Sequence, residues 1–151
     1  MGTLHVVELS GTNAVAVNGL SLKPGQEQFI APPSYSLAEG LTSSEHFWSR
    51  VIVLDDQVVG YVRAHFDDAA TQPEFVSCLW RINVDAAHQG QGVGEFAVRT
   101  TADEAATRGY GSLTVLWEPG DQGPGGFFER QGFVPSGFTQ YGEVMGVLSL
   151  E

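Results

Sequence analysis

The chain has 151 residues, and its 7 Lys and Arg against 18 Asp and Glu give a formal net charge of −11 at pH 7. That length suits one domain over residues 1–151, and the negative charge argues against binding to nucleic-acid backbones or anionic membrane surfaces. The single cysteine, Cys78, excludes an internal disulfide. No apolar run reaches the roughly 18 residues of a membrane span, and the N-terminus has no signal-peptide pattern, so we expect a cytoplasmic protein.

In the first half of the chain, the hydrophobic pattern predicts mostly strands. β-branched and aromatic residues predict four of them: Leu4–Leu9, Phe47–Leu54, Val58–Phe66 and Phe75–Val84. Asp55-Asp56-Gln57 joins the second and third as a hairpin. A short helix over Ala14–Leu20, capped by Thr12 or Asn13, follows the first strand, and another helical turn is expected near Ser36–Leu41.

After Val84 the pattern changes to an alternation of helices and strands. The glycine-rich segment Asp85–Gly94 precedes a helix over Glu95–Arg108, which Gly109 ends. The remaining predicted elements are a strand at Leu113–Trp117, a loop at Glu118–Gly126, a helix at Phe127–Gln131, and strands at Phe133–Phe138 and Val144–Leu150. This order indicates a mixed α/β (α+β) fold with one sheet.

The segment Gln89-Gly90-Gln91-Gly92-Val93-Gly94 indicates a phosphate site, because it stands between a strand and a helix. The first turn of a helix has unpaired N–H groups and a partial positive charge, and glycines leave those donors uncovered. A P-loop is excluded, since the only lysine is the distant Lys23. Gly92, Gly94 and Ala97 also fit a dinucleotide fingerprint, but too few residues follow Glu118 for a doubly wound sheet.

The third alternative rests on a resemblance that continues beyond this loop. Gln89-x-x-Gly92-x-Gly94 is similar to the Q/R-x-x-G-x-G/A loop of the GNAT acyltransferases, and Leu79–Asp85 resembles the core strand before it. Downstream, Glu118–Asp121 and Phe127–Phe133 resemble the family's P-G-N and F-Y-x-x-x-G-F segments. Pro24–Glu27, Tyr35–Glu39 and Gly142–Met145 resemble one subgroup, the bacterial spermine/spermidine acetyltransferase-like proteins.

The resemblance implies a single GNAT-like domain with a mostly antiparallel sheet of six to seven strands, splayed in the middle and flanked by about four helices. It also implies direct acetyl transfer from acetyl-CoA, without a metal, in a possible homodimer. The Ile82 N–H would hold the thioester oxygen as charge develops on it. The residues implied in cofactor binding are Ile82, Asn83, Val84, Gln89, Gly90, Gln91, Gly92, Val93, Gly94, Asp121 and Phe128.

The sequence departs from the family pattern at three positions. Asp121 replaces an Asn, Phe128 replaces the usual Tyr acid, and Cys78 stands where some relatives have a Glu base. The candidate bases are therefore Glu74, Asp85, His88 and Glu118, of which Glu118 is preferred as a catalytic residue, and a water relay would serve equally.

The predicted function is acetylation of a small, cationic, polyamine-like primary amine, since the subgroup and the negative charge both favour a positive acceptor. The alternatives are an acyl-CoA-binding module with weakened catalysis and a GNAT enzyme acting on an antibiotic or amino-acid amine. Trp48, Trp80 and Trp117 are expected in the core, or one of them at the floor of the acceptor pocket. Gly125 and Gly126 either precede a helix that begins at Phe127 or let the cofactor come close.

Overall fold

The computed structural model describes residues 2–23, 45–121 and 123–150, which form seven strands and three α-helices. The strands are β1 (Leu4–Glu8), β2 (Phe47–Leu54), β3 (Gln57–Phe66), β4 (Ser77–Val84), β5 (Ser112–Trp117), β6 (Val134–Phe138) and β7 (Val144–Ser149). The helices are α1 (Gly11–Asn18), α2 (Val93–Thr107) and α3 (Gly125–Arg130), with 3-10 turns at Pro73–Phe75 and Ala86–His88. The helical turn predicted near Ser36–Leu41 lies outside the described residues.

All seven strands belong to one sheet with the order β1-β2-β3-β4-β5-β7-β6. Every neighbouring pair is antiparallel except β4 and β5, which are parallel. The predicted mixed α/β class, the strand count and the mostly antiparallel sheet are confirmed.

The sheet opens between its two central parallel strands. β4 and β5 pair only at Cys78 with Thr114 and at Leu79 with Val115. On the other side of β4, Arg81 is opposite Arg63 whereas Leu79 is opposite Ala64, so Trp80 is an extra residue in the ladder. A bulge of this kind bends a strand and increases its twist. The pairing with β5 stops just before this bulge, and the predicted splay is confirmed.

Two hydrophobic clusters cover opposite faces of the sheet. Ile52 belongs to a cluster with the α2 residues Val93 and Ala97, while its neighbour Val51 belongs to a second cluster with Val17 of α1. Adjacent strand residues point to opposite faces. Therefore α1 and α2 lie on opposite sides of the sheet.

Local chemistry explains where the predicted boundaries were wrong. α1 begins at Gly11 because Ser10 caps it: the Ser10 Oγ accepts from the Asn13 N–H at 3.2 Å, and Asn13 Oδ1 accepts from the Ser10 N–H at 2.8 Å. Asn13 is thus a partner of the cap, not the cap. The predicted hairpin is confirmed, with Asp55 and Asp56 at φ 50° and 68°, as a two-residue turn of primed type requires.

Both later helices begin two residues earlier than predicted, because each includes glycines in its first turn. α2 begins at Val93 and includes Gly94, and α3 begins at Gly125, so the later start at Phe127 was wrong. Gly109 ends α2 as predicted, with φ 94°. Among the described residues, no helix combines the length and the apolar character that crossing a membrane requires.

Candidate active site

The splay between β4 and β5 leads into a cleft of about 700 Å³. β4, the loop after it, α3 and the segment before α3 supply its walls. Lining residues that the sequence predicted are Ile82, Val84, Gln89, Gly90, Gly92, Gly94, Asp121 and Phe128. The structure thus brings together eight of the eleven residues predicted to bind the cofactor, although their contacts with a ligand stay a prediction.

The backbone of β4 directs two of its amides towards the cleft. The Asp85 N–H donates to the Val59 carbonyl of β3 at 2.9 Å. Because amides alternate sides along a strand, those of Val84 and Ile82 point away from β3. Consistent with this, the Val84 carbonyl accepts a hydrogen bond from Gln89 Nε2 at 3.1 Å. Among the described residues, β4 pairs with β5 only at Cys78 and Leu79, so the predicted oxyanion donor, Ile82 N–H, lies on the cleft side of β4.

The loop before α2 has the geometry of an anion cradle. Gly90 and Gly92 have φ of 80° and 86°, a conformation that disfavours any residue with a Cβ. Gly92 stands at the N-cap of α2 with no capping side chain, and added Cβ atoms at both glycines would meet open space. The first N–H groups of α2 are therefore uncovered, and the residues present fit the pyrophosphate of acetyl-CoA.

Gly94 is glycine for a different reason, which is close packing. A Cβ at this position would lie 2.9 Å from Cζ of Phe127, closer than real Cβ atoms approach another heavy atom. The absent side chain therefore lets α3 approach the first turn of α2, which narrows the cleft beside the glycine cradle.

A partly buried carboxylate anchors the strand end from which this loop departs. Asp85 Oδ1 accepts from the Ser21 N–H at 3.0 Å and from Ser21 Oγ at 3.2 Å, and Oδ2 lies 3.1 Å from His88 Nδ1. Burial acts to raise the pKa of Asp85, but these hydrogen bonds outweigh it and the pKa lies below its usual range. Asp85 and His88 are thus engaged with each other and neither lines the cleft, so their role as bases stays a prediction.

Aromatic rings form the wall of the cleft where the family has its Tyr. Phe128 is 3% exposed and stacks on Trp117, with ring centres 5.6 Å apart and planes at 20°. Gly125 allows this arrangement, because its Cβ would lie 2.7 Å from Nε1 of Trp117. The alternative in which the helix begins at Phe127 is wrong, because α3 begins at Gly125. Gly125 makes room for the Trp117 indole, and Gly126 lines the cleft. A close approach of the cofactor at these glycines stays a prediction.

Cys78 has no acid–base role near neutral pH. Burial raises the pKa of its thiol to about 12, although a hydrogen bond with Thr114 acts in the opposite direction. The thiol therefore stays protonated, and it does not replace the Glu that some relatives have at this position.

The other predicted residues lie outside the lining of the cleft. Glu118 is exposed at the end of β5, and Glu74 is half-buried in the 3-10 turn before β4. Asn83 and Val93 are almost fully buried, and Gln91 is exposed on the loop. Catalysis by Glu118 stays a prediction, and so do cofactor contacts through Asn83, Gln91 and Val93.

Sequence reasoning missed several residues of the cleft. Arg81 and Arg130 bring positive charge to it, while Trp80, Phe127 and Leu22 add apolar walls. Arg130 stands inside the Phe127–Phe133 segment, where its position one turn after Phe127 would have indicated it. Trp80 was expected in the core or, as the alternative, at the floor of the acceptor pocket; it is half-buried, whereas Trp48 and Trp117 are buried. In the described ranges, no three His, Cys, Asp or Glu side chains come together as a metal site.

The cleft, the unpaired β4 amides and the glycine cradle agree with a match to a known family. The model of the acetyltransferase (GNAT) family matches residues 19–133. The chain belongs to the GNAT family. It is accordingly an acetyl-CoA-dependent N-acetyltransferase by family. No individually curated protein matches the sequence significantly, and the spermine/spermidine-like subgroup is not confirmed.

Solved structures share the fold of this GNAT chain at low sequence identity. The ribosomal-protein-S18-alanine N-acetyltransferase from Escherichia coli is 16% identical with a TM-score of 0.70, covering 99% of this chain and 95% of that one. The GNAT domain of S. lividans PAT is 17% identical with a TM-score of 0.74, covering 98% and 90%. An aminoglycoside 6′-N-acetyltransferase in complex with coenzyme A is 12% identical with a TM-score of 0.70, covering 97% of both chains. At such identities the likeness concerns the fold alone.

Proposed function

We propose that this GNAT enzyme transfers the acetyl group of acetyl-CoA directly to the primary amine of a small cationic acceptor. The observation that carries the proposal is the continuity of the cleft, which runs from the glycine cradle at Gly90–Gly92 to the unpaired edge of β4. Backbone N–H groups at the start of α2 would hold the pyrophosphate, and they do so without help from the net charge of −11.

Acetyl transfer requires attack on a thioester, stabilisation of the negative charge on its oxygen, and removal of a proton from the acceptor. Acetyl-CoA supplies a thioester, whose acetyl carbon bonds to the amine nitrogen as the carbon–sulfur bond breaks. Coenzyme A leaves as a thiolate, which takes up through water the proton that the nitrogen loses on becoming an amide. The Ile82 N–H stabilises the negative charge that develops on the thioester oxygen. A water relay removes the proton from the acceptor ammonium, since no candidate carboxylate lines the cleft beside Ile82.

The acceptor class is the finer part of the proposal. The charge of −11 favours a cationic, polyamine-like amine over a neutral or anionic one. An acceptor such as an antibiotic or an amino acid, or binding of an acyl-CoA without turnover, are the competing outcomes. Location in the cytoplasm and assembly as a homodimer stay predictions.

The test uses two glycines with the same backbone conformation at opposite ends of α2. Gly92 and Gly109 have φ of 86° and 94°, and a Cβ at either position would meet open space. Gly92→Glu and Gly109→Glu therefore carry a similar backbone cost and the same charge change, but only Gly92 lines the cleft. We expect Gly92→Glu to weaken acetyl-CoA binding at least tenfold in calorimetry and Gly109→Glu to leave it within twofold.

The outcomes separate the site from the activity. Equal affinities in both variants would refute the site, and no binding to the wild type would refute the proposal altogether. Release of the coenzyme A thiol on adding an amine distinguishes an enzyme from a binding module, because a binding module would retain affinity and release none.

A further inference from the structure

A second cavity, of about 440 Å³, adjoins the cleft through Trp80. Trp80 belongs to the lining of both cavities, and it is the bulge residue of β4. The second cavity lies on the sheet face of Phe47 and His65, which are directly opposite each other on β2 and β3. It is thus on the far side of the splayed strand from α2, next to the place where β4 leaves β5.

Four aromatic rings that contact one another in a closed circuit form one wall of this cavity. Phe47 contacts His65 with ring centres 4.8 Å apart, and His65 lies 6.4 Å from Phe75. Phe75 lies 5.4 Å from Trp80, which in turn lies 6.4 Å from Phe47. The His65 Nδ1 atom is 2.7 Å from the Phe75 carbonyl oxygen, so a hydrogen bond fixes the ring between its neighbours.

Two arginines already occupy ring faces in this circuit. The guanidinium carbon of Arg63 lies 3.9 Å from the centre of the Phe47 ring, and that of Arg81 lies 4.7 Å from the centre of the Trp80 ring. A ring that faces one cation attracts a second one less, because the charges repel through it. The rings of Phe47 and Trp80 therefore suit an alkyl chain better than an ammonium group.

A carboxylate at the edge of the circuit suits the ammonium group instead. Asp67 lines the cavity, and among the described lining residues it is the only carboxylate, with no Lys or Arg in that lining. Its Oδ1 accepts from the Ala69 N–H at 2.9 Å. Its Oδ2 accepts no hydrogen bond from the described part of the chain, and His46 Nε2 lies 3.9 Å from it.

We infer that this second cavity is the acceptor site and that it selects an amine carrying a second cation at the far end of an alkyl spacer. The reactive amine lies beside Trp80, the residue that the two cavities share. The spacer lies along the exposed edges of the rings, and the distal ammonium binds Asp67. The inference rests on the proposed acetyl transfer and names its acceptor class: a diaminoalkane, in preference to a monoamine or an amino carboxylate.

The test compares three acceptors of the same length with the full-length enzyme and acetyl-CoA. Pentanediamine, n-hexylamine and 6-aminohexanoate share a spacer of five CH2 groups and differ only in their distal group, which is a cation, a methyl group or an anion. We expect kcat/KM, measured by thiol release, to be at least tenfold higher for the diamine than for n-hexylamine, and lowest for the amino acid. This comparison needs no variant, so it does not depend on whether a substituted chain folds.

Two adjacent aspartates then provide a matched pair of variants. Asp67→Asn removes the negative charge but keeps an oxygen for the Ala69 N–H. Asp68→Asn removes the same charge at an exposed residue outside the lining. We expect Asp67→Asn to lower the ratio of diamine to monoamine kcat/KM to below threefold, while Asp68→Asn keeps it above tenfold.

The outcomes distinguish this inference from the proposed function. Turnover of all three acceptors at similar kcat/KM, or a preference for the amino acid, would overturn the inference and leave acetyl transfer standing. Equal loss of preference in both aspartate variants would also overturn it, since the net charge and not the site would then select the acceptor. Failure of the wild type to bind acetyl-CoA would overturn the proposed function, and this inference with it.

Discussion

The guanidinium group of Arg63 lies over the ring of Phe47, 3.9 Å from its centre, and the whole Arg63 side chain is buried. None of its three nitrogens has a hydrogen-bond partner among the described residues. Arg81 is directly opposite on β4, and like charges in that relationship repel. Among the described residues, the contact with the Phe47 ring is thus the main interaction that offsets the burial of the Arg63 charge.

We therefore predict that Arg63→Met raises the free energy of unfolding by about 1–3 kcal/mol. Methionine keeps the unbranched stem over Phe47 and removes an unpaired buried charge, whose desolvation is costly. Urea unfolding measures the change, and Arg99→Met, at an exposed residue, should stay within about 0.5 kcal/mol of the wild type. A loss of stability in Arg63→Met would mean that the guanidinium stabilises the fold through Phe47 by more than its burial costs.

The neighbouring glycines of α3 should respond to alanine in opposite directions. Alanine is favoured over glycine inside a helix by about 1 kcal/mol. At Gly126 the new Cβ would meet only the tip of the Arg130 side chain, at 3.3 Å, which can move. At Gly125 it would lie 2.7 Å from Nε1 of Trp117.

We expect Gly126→Ala to raise the melting temperature and Gly125→Ala to lower it, the latter by an amount equivalent to about 1–3 kcal/mol of overpacking. Thermal unfolding followed by Trp fluorescence reports both, since Trp117 is the side chain displaced. The same sign of change in the two variants would contradict the role assigned to Gly125.

The anchor at Asp85 should give stability that depends on pH. Its pKa is lowered in the folded protein, so the ionised form contributes stability above about pH 4, the ordinary value for Asp, and this is lost as the pH falls through the lowered folded value. Asp85→Asn should therefore destabilise the protein most at neutral pH, and the difference from the wild type should shrink towards pH 3.

Urea unfolding at several pH values checks this prediction. Asp103→Asn, at an exposed position on α2, serves as the control and should show no such trend. A difference between Asp85→Asn and the wild type that stays constant with pH would contradict the contribution of the ionised carboxylate.

Phe128→Tyr should change kcat by less than about tenfold, or 1.4 kcal/mol. A thiol has a pKa of roughly 8.5, so the leaving thiolate needs little help from an acid near neutral pH. Phe128 lines the cleft, so the added hydroxyl has access to it, while the ring keeps its stack on Trp117. Steady-state kinetics at saturating substrates measure the effect, and a rise of a hundredfold or more would show that the missing acid limits the natural enzyme.

Local signals predicted most elements of the fold. Strand β2 was predicted at its observed bounds, and Gly109 ends α2 as its position after the last helical turn indicated. The errors arise where tertiary contacts override propensity. Gly94 and Gly125 lie inside helices, and they are glycines because Phe127 and Trp117 occupy the space that a Cβ would need. Propensity alone places both glycines outside.

The candidate site was predictable in part for the same reason. The glycine cradle has a local sequence pattern, because the positive φ at Gly92 favours glycine whatever residues surround it. The second cavity has no such pattern, since Phe47, Phe75 and Trp80 come from distant segments and none of them indicates a shared cavity by itself. A charged residue in an apolar strand does not by itself indicate that its side chain is buried. The contact between Arg63 and Phe47 therefore could not be predicted from the sequence.

The bulge at Trp80 makes the opening in the sheet depend on how many residues β4 holds. A substitution at Trp80 alters the walls of two cavities, whereas a deletion there would remove the surplus residue and bring β4 into even register with β3. The side chains of Ser77, Cys78 and Leu79 would then turn to the opposite face, because facing alternates along a strand. In this chain, loss of a single codon at that point is a more severe change than any replacement, since it would convert a divided sheet into a continuous one.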